Sequence, residues 1–174
     1  MTKNRAVLGS ILFFLLAPGI IGFAIPALIH HWRPGPATDM HPALVPSGLT
    51  LTFLGLWALI ACFARFALGG EGTPAPFAPT QRLVVEGLYR HVRNPMYLAV
   101  LAIILGQALA MASLGTLIYS AVIAVAFVLF VRLYEEPTLK GAYPEDWPTY
   151  AAAVPAWLPR RKAWISEDKA QPAD

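Results

Sequence analysis

The side chains able to do chemistry fall into two short polar stretches, separated by 34 uncharged residues (98–131). The first reads Glu86-Gly87-Leu88-Tyr89-Arg90-His91-Val92-Arg93-Asn94-Pro95-Met96-Tyr97, two arginines, a histidine and two tyrosines ahead of an apolar run. Proline suits the first position of a helix, whose unpaired N–H groups and positive dipole end accept an anion. Arginine forks there would pair with a carboxylate or phosphate. The second stretch is Arg132-Leu133-Tyr134-Glu135-Glu136-Pro137. Two carboxylates one turn beyond an apolar helix face its negative dipole end, so they need a cation: Arg132, an arginine of the first stretch, or a positively charged ligand. Neighbouring helical residues point about 100° apart, so Glu135 and Glu136 serve different partners instead of forming a metal-binding pair.

Each of these residues also has a plainer reading. Arg90 and Arg93 would serve as interfacial anchors that snorkel to phosphates, and Tyr89 and Tyr97 as members of an aromatic belt. His91 alone reads as an interfacial polar residue, and Glu135 and Glu136 as a charge balance for Arg132. Gln107, deep in an apolar run, reads as a hydrogen-bonding link between helices, with contact to a substrate as its other role. His30, His31 and His41 are too dispersed to argue for a metal, and the lone Cys62 excludes an intrachain disulfide or a CxxC pair.

The elements that must position these groups are membrane helices. Of the 174 residues, 57% are hydrophobic and 13% charged, against about 25% charged in ordinary soluble domains. A bilayer core of about 30 Å takes roughly 20 helical residues, so the uncharged runs predict spans near 7–29, 43–64, 95–111 and 116–131. The last two divide at Ala112-Ser113-Leu114-Gly115, a small, polar break that permits a helical hairpin. Lys and Arg are excluded from one side: with both termini cytoplasmic, twelve of the thirteen lie on that side and Arg33 alone on the other. The basic start at Lys3 and Arg5 precedes an apolar run too long for a cleaved leader, which reads as a retained anchor.

Pro18, Gly19 and Pro26 interrupt the first span, which a bundle tolerates where neighbours satisfy the freed carbonyls. Ala102, Gly106 and Ala110 recur every four residues in the third span, a face that lets backbones approach and that is expected to pack on the fourth span. The expected architecture is an all-α integral membrane bundle of four transmembrane helices. It forms one domain over residues 1–165, followed by a polar, disordered tail at 166–174. The scattered basic residues offer no nucleic-acid face.

Taken together, Gly87-Leu88-Tyr89-Arg90-His91-Val92-Arg93-Asn94-Pro95-Met96-Tyr97, then Glu135-Glu136-Pro137-Thr138-Leu139, then Tyr143, Tyr150 and Val154-Pro155-Ala156-Trp157-Leu158-Pro159 form a composite pattern over about residues 70–160. In that order and spacing the chain resembles the isoprenylcysteine carboxyl methyltransferase and phospholipid methyltransferase superfamily, in its compact bacterial form. The resemblance implies an inner-membrane methyltransferase using S-adenosyl-L-methionine, without a metal, on a membrane lipid or lipidated acceptor, with carboxylate O-methylation favoured over phospholipid amine N-methylation. It implies a cofactor pocket lined by Tyr89, His91, Val92, Asn94, Pro95 and Tyr97 on one side and Glu135 and Glu136 on the other. Arg93, Arg90 and Glu135 are then the candidate catalytic residues, and Arg90 and Gln107 the candidate acceptor contacts. Asn94 stands where many relatives have histidine, so it hydrogen-bonds but carries no imidazolium, and Pro144 and Pro148 fall where relatives continue a helix.

Two other classes stand beside this one. A non-catalytic lipid-binding bundle would use the same basic loop to grip anionic headgroups. A transporter is disfavoured by four short spans without an inverted repeat or an ionisable residue inside a helix.

Overall fold

The computed structural model describes residues 16–69 and 83–165; the basic N-terminus with the first residues of the first apolar run, the proline-rich segment 72–79, Arg82 and the tail 166–174 lie outside the described residues. Within them every regular element is helical. Helix α1 is Leu16–His30, α2 is Ala37–Met40, α3 is Leu44–Gly69, and α4 is Pro95–Ala110, preceded by a 3₁₀ turn at Gly87–Arg90. Helix α5, Leu114–Phe130, leads through a π turn into α6, Glu136–Ala142, and α7 is Asp146–Ala153. Two stretches, Leu44–Arg65 and Leu114–Ala142, are long and apolar enough to cross a membrane. Helix α4 is shorter: at 1.5 Å per residue its 16 residues extend about 24 Å.

Each π turn ends two residues before a proline. In α1 the wide turn Ile20–Ala24 closes with the Ile25 N–H on the Ile20 carbonyl, just before Pro26, which has no N–H to offer. The carbonyls this leaves are taken up by neighbouring helices, as the sequence led us to expect: Gln107 Nε2 donates to the Gly22 oxygen at 2.6 Å and the Tyr119 hydroxyl to the Ile21 oxygen at 3.0 Å. The second π turn, Val131–Glu135, stands before Pro137 and lets the chain continue helically to Ala142. The glutamates therefore do not follow a helix end, which corrects the expected stop at residue 131. The helix dipole therefore does not require a cation beside them.

Helix α4 packs against α3, not principally on the fourth span as its small residues suggested. A Cβ added at Gly106 would lie 2.6 Å from the Gly48 carbonyl oxygen, and one at Gly55 would lie 2.8 Å from the Ala99 oxygen, so the two backbones approach to a distance only glycine allows. Leu59, Phe63, Ala99, Val100, Ile103 and Ile104 form the core between them, with Ile21 of α1 and Tyr119, Ile123 and Phe127 of α5 packed around it. The α4–α5 hairpin turns at residues 111–113. There Ala112 takes a left-handed φ of 46° and Ser113 Oγ accepts the Thr116 N–H at 3.2 Å, so the cap falls on Ser113 and Gly115 lies inside α5. A second, smaller core of Trp147, Tyr150 and Val154 gathers Leu83, Val85, Leu139, Tyr143 and Trp164 beside the bundle.

Candidate active site

The two polar stretches meet. The Asn94-Pro95 start of α4 lies opposite the π turn at the end of α5, and Tyr97 donates its hydroxyl to Glu135 Oε2 at 2.5 Å while Arg93 Nη2 donates to Glu136 Oε1 at 2.9 Å. Successive residues of the turning helix thus reach two different partners. Arg93 is further fixed by a 2.9 Å bond from Nη1 to the Ala151 carbonyl and by the face of Trp147, whose ring centre lies 5.5 Å from the guanidinium carbon. Its Nε is buried with no hydrogen-bond partner among the described residues.

These groups enclose one end of a cavity of about 810 Å³. Tyr89, Arg93, Asn94, Pro95, Tyr97, Glu135 and Glu136 line its polar end, together with Trp147 and Tyr150 of α7. Its other limb runs between α1 and α5 and is apolar, walled by Ala17, Ile21, Leu59, Val100, Phe127 and Phe130. Aromatic rings crowd the junction: Phe127 lies 4.8 Å from the Tyr97 ring, Phe130 6.5 Å and Trp157 6.4 Å. Volume and lining suit one small polar molecule beside the head of an amphipathic one.

The phenols behind the polar end are held neutral. Tyr89 is pushed well above its ordinary pKa, by burial first and then by the neighbouring Cys62, Glu135, Tyr150 and Tyr97. Burial also raises Tyr150, with Arg93 acting in the opposite direction. Tyr150 therefore remains a donor, and its hydroxyl bonds the Tyr89 carbonyl at 2.8 Å, tying α7 to the 3₁₀ turn.

Four candidates do not line the cavity. Arg90 Nε donates to the Trp164 carbonyl at 2.6 Å, and His91 Nδ1 meets the Arg160 carbonyl at 2.9 Å. His91 and Val92 border a separate small groove between α3 and α4. Gln107 is buried in its helix-to-helix bonds to Gly22 and Ile103 and does not line the cavity. Conversely, the sequence reading gave no role to Trp147, which shares a face of α7 with Tyr150; their three-residue spacing was the available signal. Among the described residues no group of His, Cys, Asp and Glu is arranged to hold a metal ion.

Comparison with known proteins bears on this arrangement directly. The family described as phospholipid methyltransferase matches residues 44–146, which include α3 to α6 with both the Arg93–Tyr97 segment and the two glutamates. No curated protein and no solved structure matches the chain. The family match spans more than half of the sequence, and the chain accordingly belongs to the phospholipid methyltransferase family, a membrane methyltransferase acting on lipid substrates.

Proposed function

We propose that the protein transfers a methyl group from S-adenosyl-L-methionine to the amine headgroup of a lipid, at the cytoplasmic end of a single domain of four membrane crossings. The observation that carries this reading is the pair of contacts, Tyr97 to Glu135 and Arg93 to Glu136, at the polar end of a cavity whose other limb is apolar. S-adenosylmethionine, when bound, supplies a methyl group activated by its sulfonium.

The residues present fit such a cofactor. The N-terminus of α4 suits its carboxylate, beside Arg93, whose Nε has no hydrogen-bond partner among the described residues. Tyr89, Asn94, Pro95 and Glu136 would hold it from the same wall. An in-line displacement depends on alignment and on exclusion of water more than on a strong base. The aromatic cluster around Tyr97 supplies the dry wall.

Support for an amine over the carboxylate suggested by the two arginines comes from their engagements. Arg90 is spent on Trp164 outside the cavity and Arg93 is paired with Glu136, so Glu135 is the charge left over at the polar end. A carboxylate there accepts the proton that a lipid ammonium must lose, and the surrounding rings favour a cationic head. The apolar limb would take part of the lipid tail.

The test is purified protein in lipid discs, titrated with S-adenosylhomocysteine and assayed with labelled methyl donor on separate amine and carboxylate lipids. The expected result is binding, with label in the amine lipid. Glu135→Gln should lower transfer by about 10²–10⁴-fold and change S-adenosylhomocysteine affinity far less. Folded protein that binds no S-adenosylhomocysteine would end the cofactor assignment, and label confined to carboxylate lipids would end the amine assignment.

A further inference from the structure

After α7 the chain doubles back across the start of α4 as a strap, residues 154–164, beyond the part matched by the family. One flank of the strap is taken up by hydrogen bonds to residues 90–94. The Arg93 N–H reaches the Pro155 carbonyl at 3.0 Å, and Asn94 Nδ2 the Ala156 carbonyl at 3.1 Å. The Arg160 N–H meets the His91 carbonyl and the Trp164 N–H the Arg90 carbonyl, each at 2.9 Å. Arg90 and His91 return bonds to the carbonyls of Trp164 and Arg160.

The other flank is unlike an ordinary polar surface. Leu158 is 80% exposed and Ile165 57%, and the exposed Arg161 and Lys162 stand between them. No acidic residue occurs between Asp146 and Glu167. The ring of Trp157 lies 6.4 Å from Tyr97 in the first turn of α4, so the strap passes beside the start of that apolar helix. An exposed leucine beside cations that have no ion-pair partner among the described residues, at the start of an apolar helix, matches a bilayer surface, where the apolar side chain enters among headgroups and the cations meet anionic ones.

We propose that residues 157–165 bind an anionic lipid surface, and that this contact seats the strap and so holds Arg93 and Asn94 against the cavity through the Pro155 and Ala156 carbonyls. The surface contact stands by itself; its effect on the site rests on the cofactor reading above. Lipid charge then becomes a control on the site.

Full-length protein would be placed in discs of phosphatidylcholine alone or mixed with phosphatidylglycerol. Two quantities are read in each: hydrogen exchange at the Arg160 and Trp164 amides, and affinity for S-adenosylhomocysteine. Anionic discs should slow exchange about tenfold and tighten binding by a similar factor, and high salt should erase both effects. The double variant Arg161→Gln, Lys162→Gln and the single variant Leu158→Ser, all outside the cavity, should exchange alike in the two discs. Wild-type exchange that ignores lipid charge overturns the contact. Exchange that responds while affinity does not overturns the link to the site. Responsive exchange without S-adenosylhomocysteine binding in any disc leaves the contact standing and overturns the cofactor reading.

Discussion

Arg93 concentrates the argument at the scale of single residues. Its two terminal nitrogens go to Glu136 and to the Ala151 carbonyl, its plane rests near Trp147, and its backbone N–H holds Pro155. Lysine has one compact ammonium and no plane, so it cannot reproduce this set although it keeps the charge. Arg93→Lys is expected to weaken S-adenosylhomocysteine about tenfold, the loss of roughly one charge-assisted hydrogen bond, measured by calorimetry. A silent substitution would mean that only net charge matters, as a lipid-gripping bundle requires. The residue types of this site were readable in the sequence because arginine, tyrosine and glutamate announce their chemistry. The roles of Arg90 and His91 were not, because their acceptors are backbone carbonyls about 70 residues away, and a carbonyl is the same at every position.

Among elements, the α3–α4 pair and the α4–α5 hairpin make opposite demands on small residues. Gly106 lies against Gly48 and Thr52, where any added carbon meets backbone. Gly106→Val should therefore cost about 2–3 kcal/mol. Ala112 instead occupies a left-handed conformation that glycine adopts without strain, so Ala112→Gly should gain about 0.5–1 kcal/mol. Thermal unfolding in detergent would check both signs; a neutral Gly106→Val would mean that the helices do not approach as described. The hairpin was legible as a break in hydropathy. The partner of the small face was not, because spacing places residues on a face without saying which neighbour that face meets.

For the whole molecule, the decisive property is which ends of the helices share a membrane face. With four crossings, the loop around Pro36 and the strap around Leu158 lie on opposite sides. In a Cys62→Ala background, which removes the lone and buried thiol, Pro36→Cys and Leu158→Cys should each react with an impermeant maleimide from one side only, and from different sides. Labelling of both from the same side would rule out the arrangement, whatever the enzyme's activity.

The sequence by itself determined the helical character of the long apolar runs and the chemistry available beside them, because hydropathy and charge act through the solvent that each segment enters and need no knowledge of its neighbours. It also carried the family, since the polar residues recur in an order that survives linear reading. Only the tertiary structure decided which polar groups face the cavity and which hold the strap. A π turn before Pro137 turns Glu135 and Glu136 toward Tyr97 and Arg93, and the strap engages Arg90 and His91 from behind. Such pairings join residues far apart in the chain, and their geometry is set by packing between elements that no local pattern encodes.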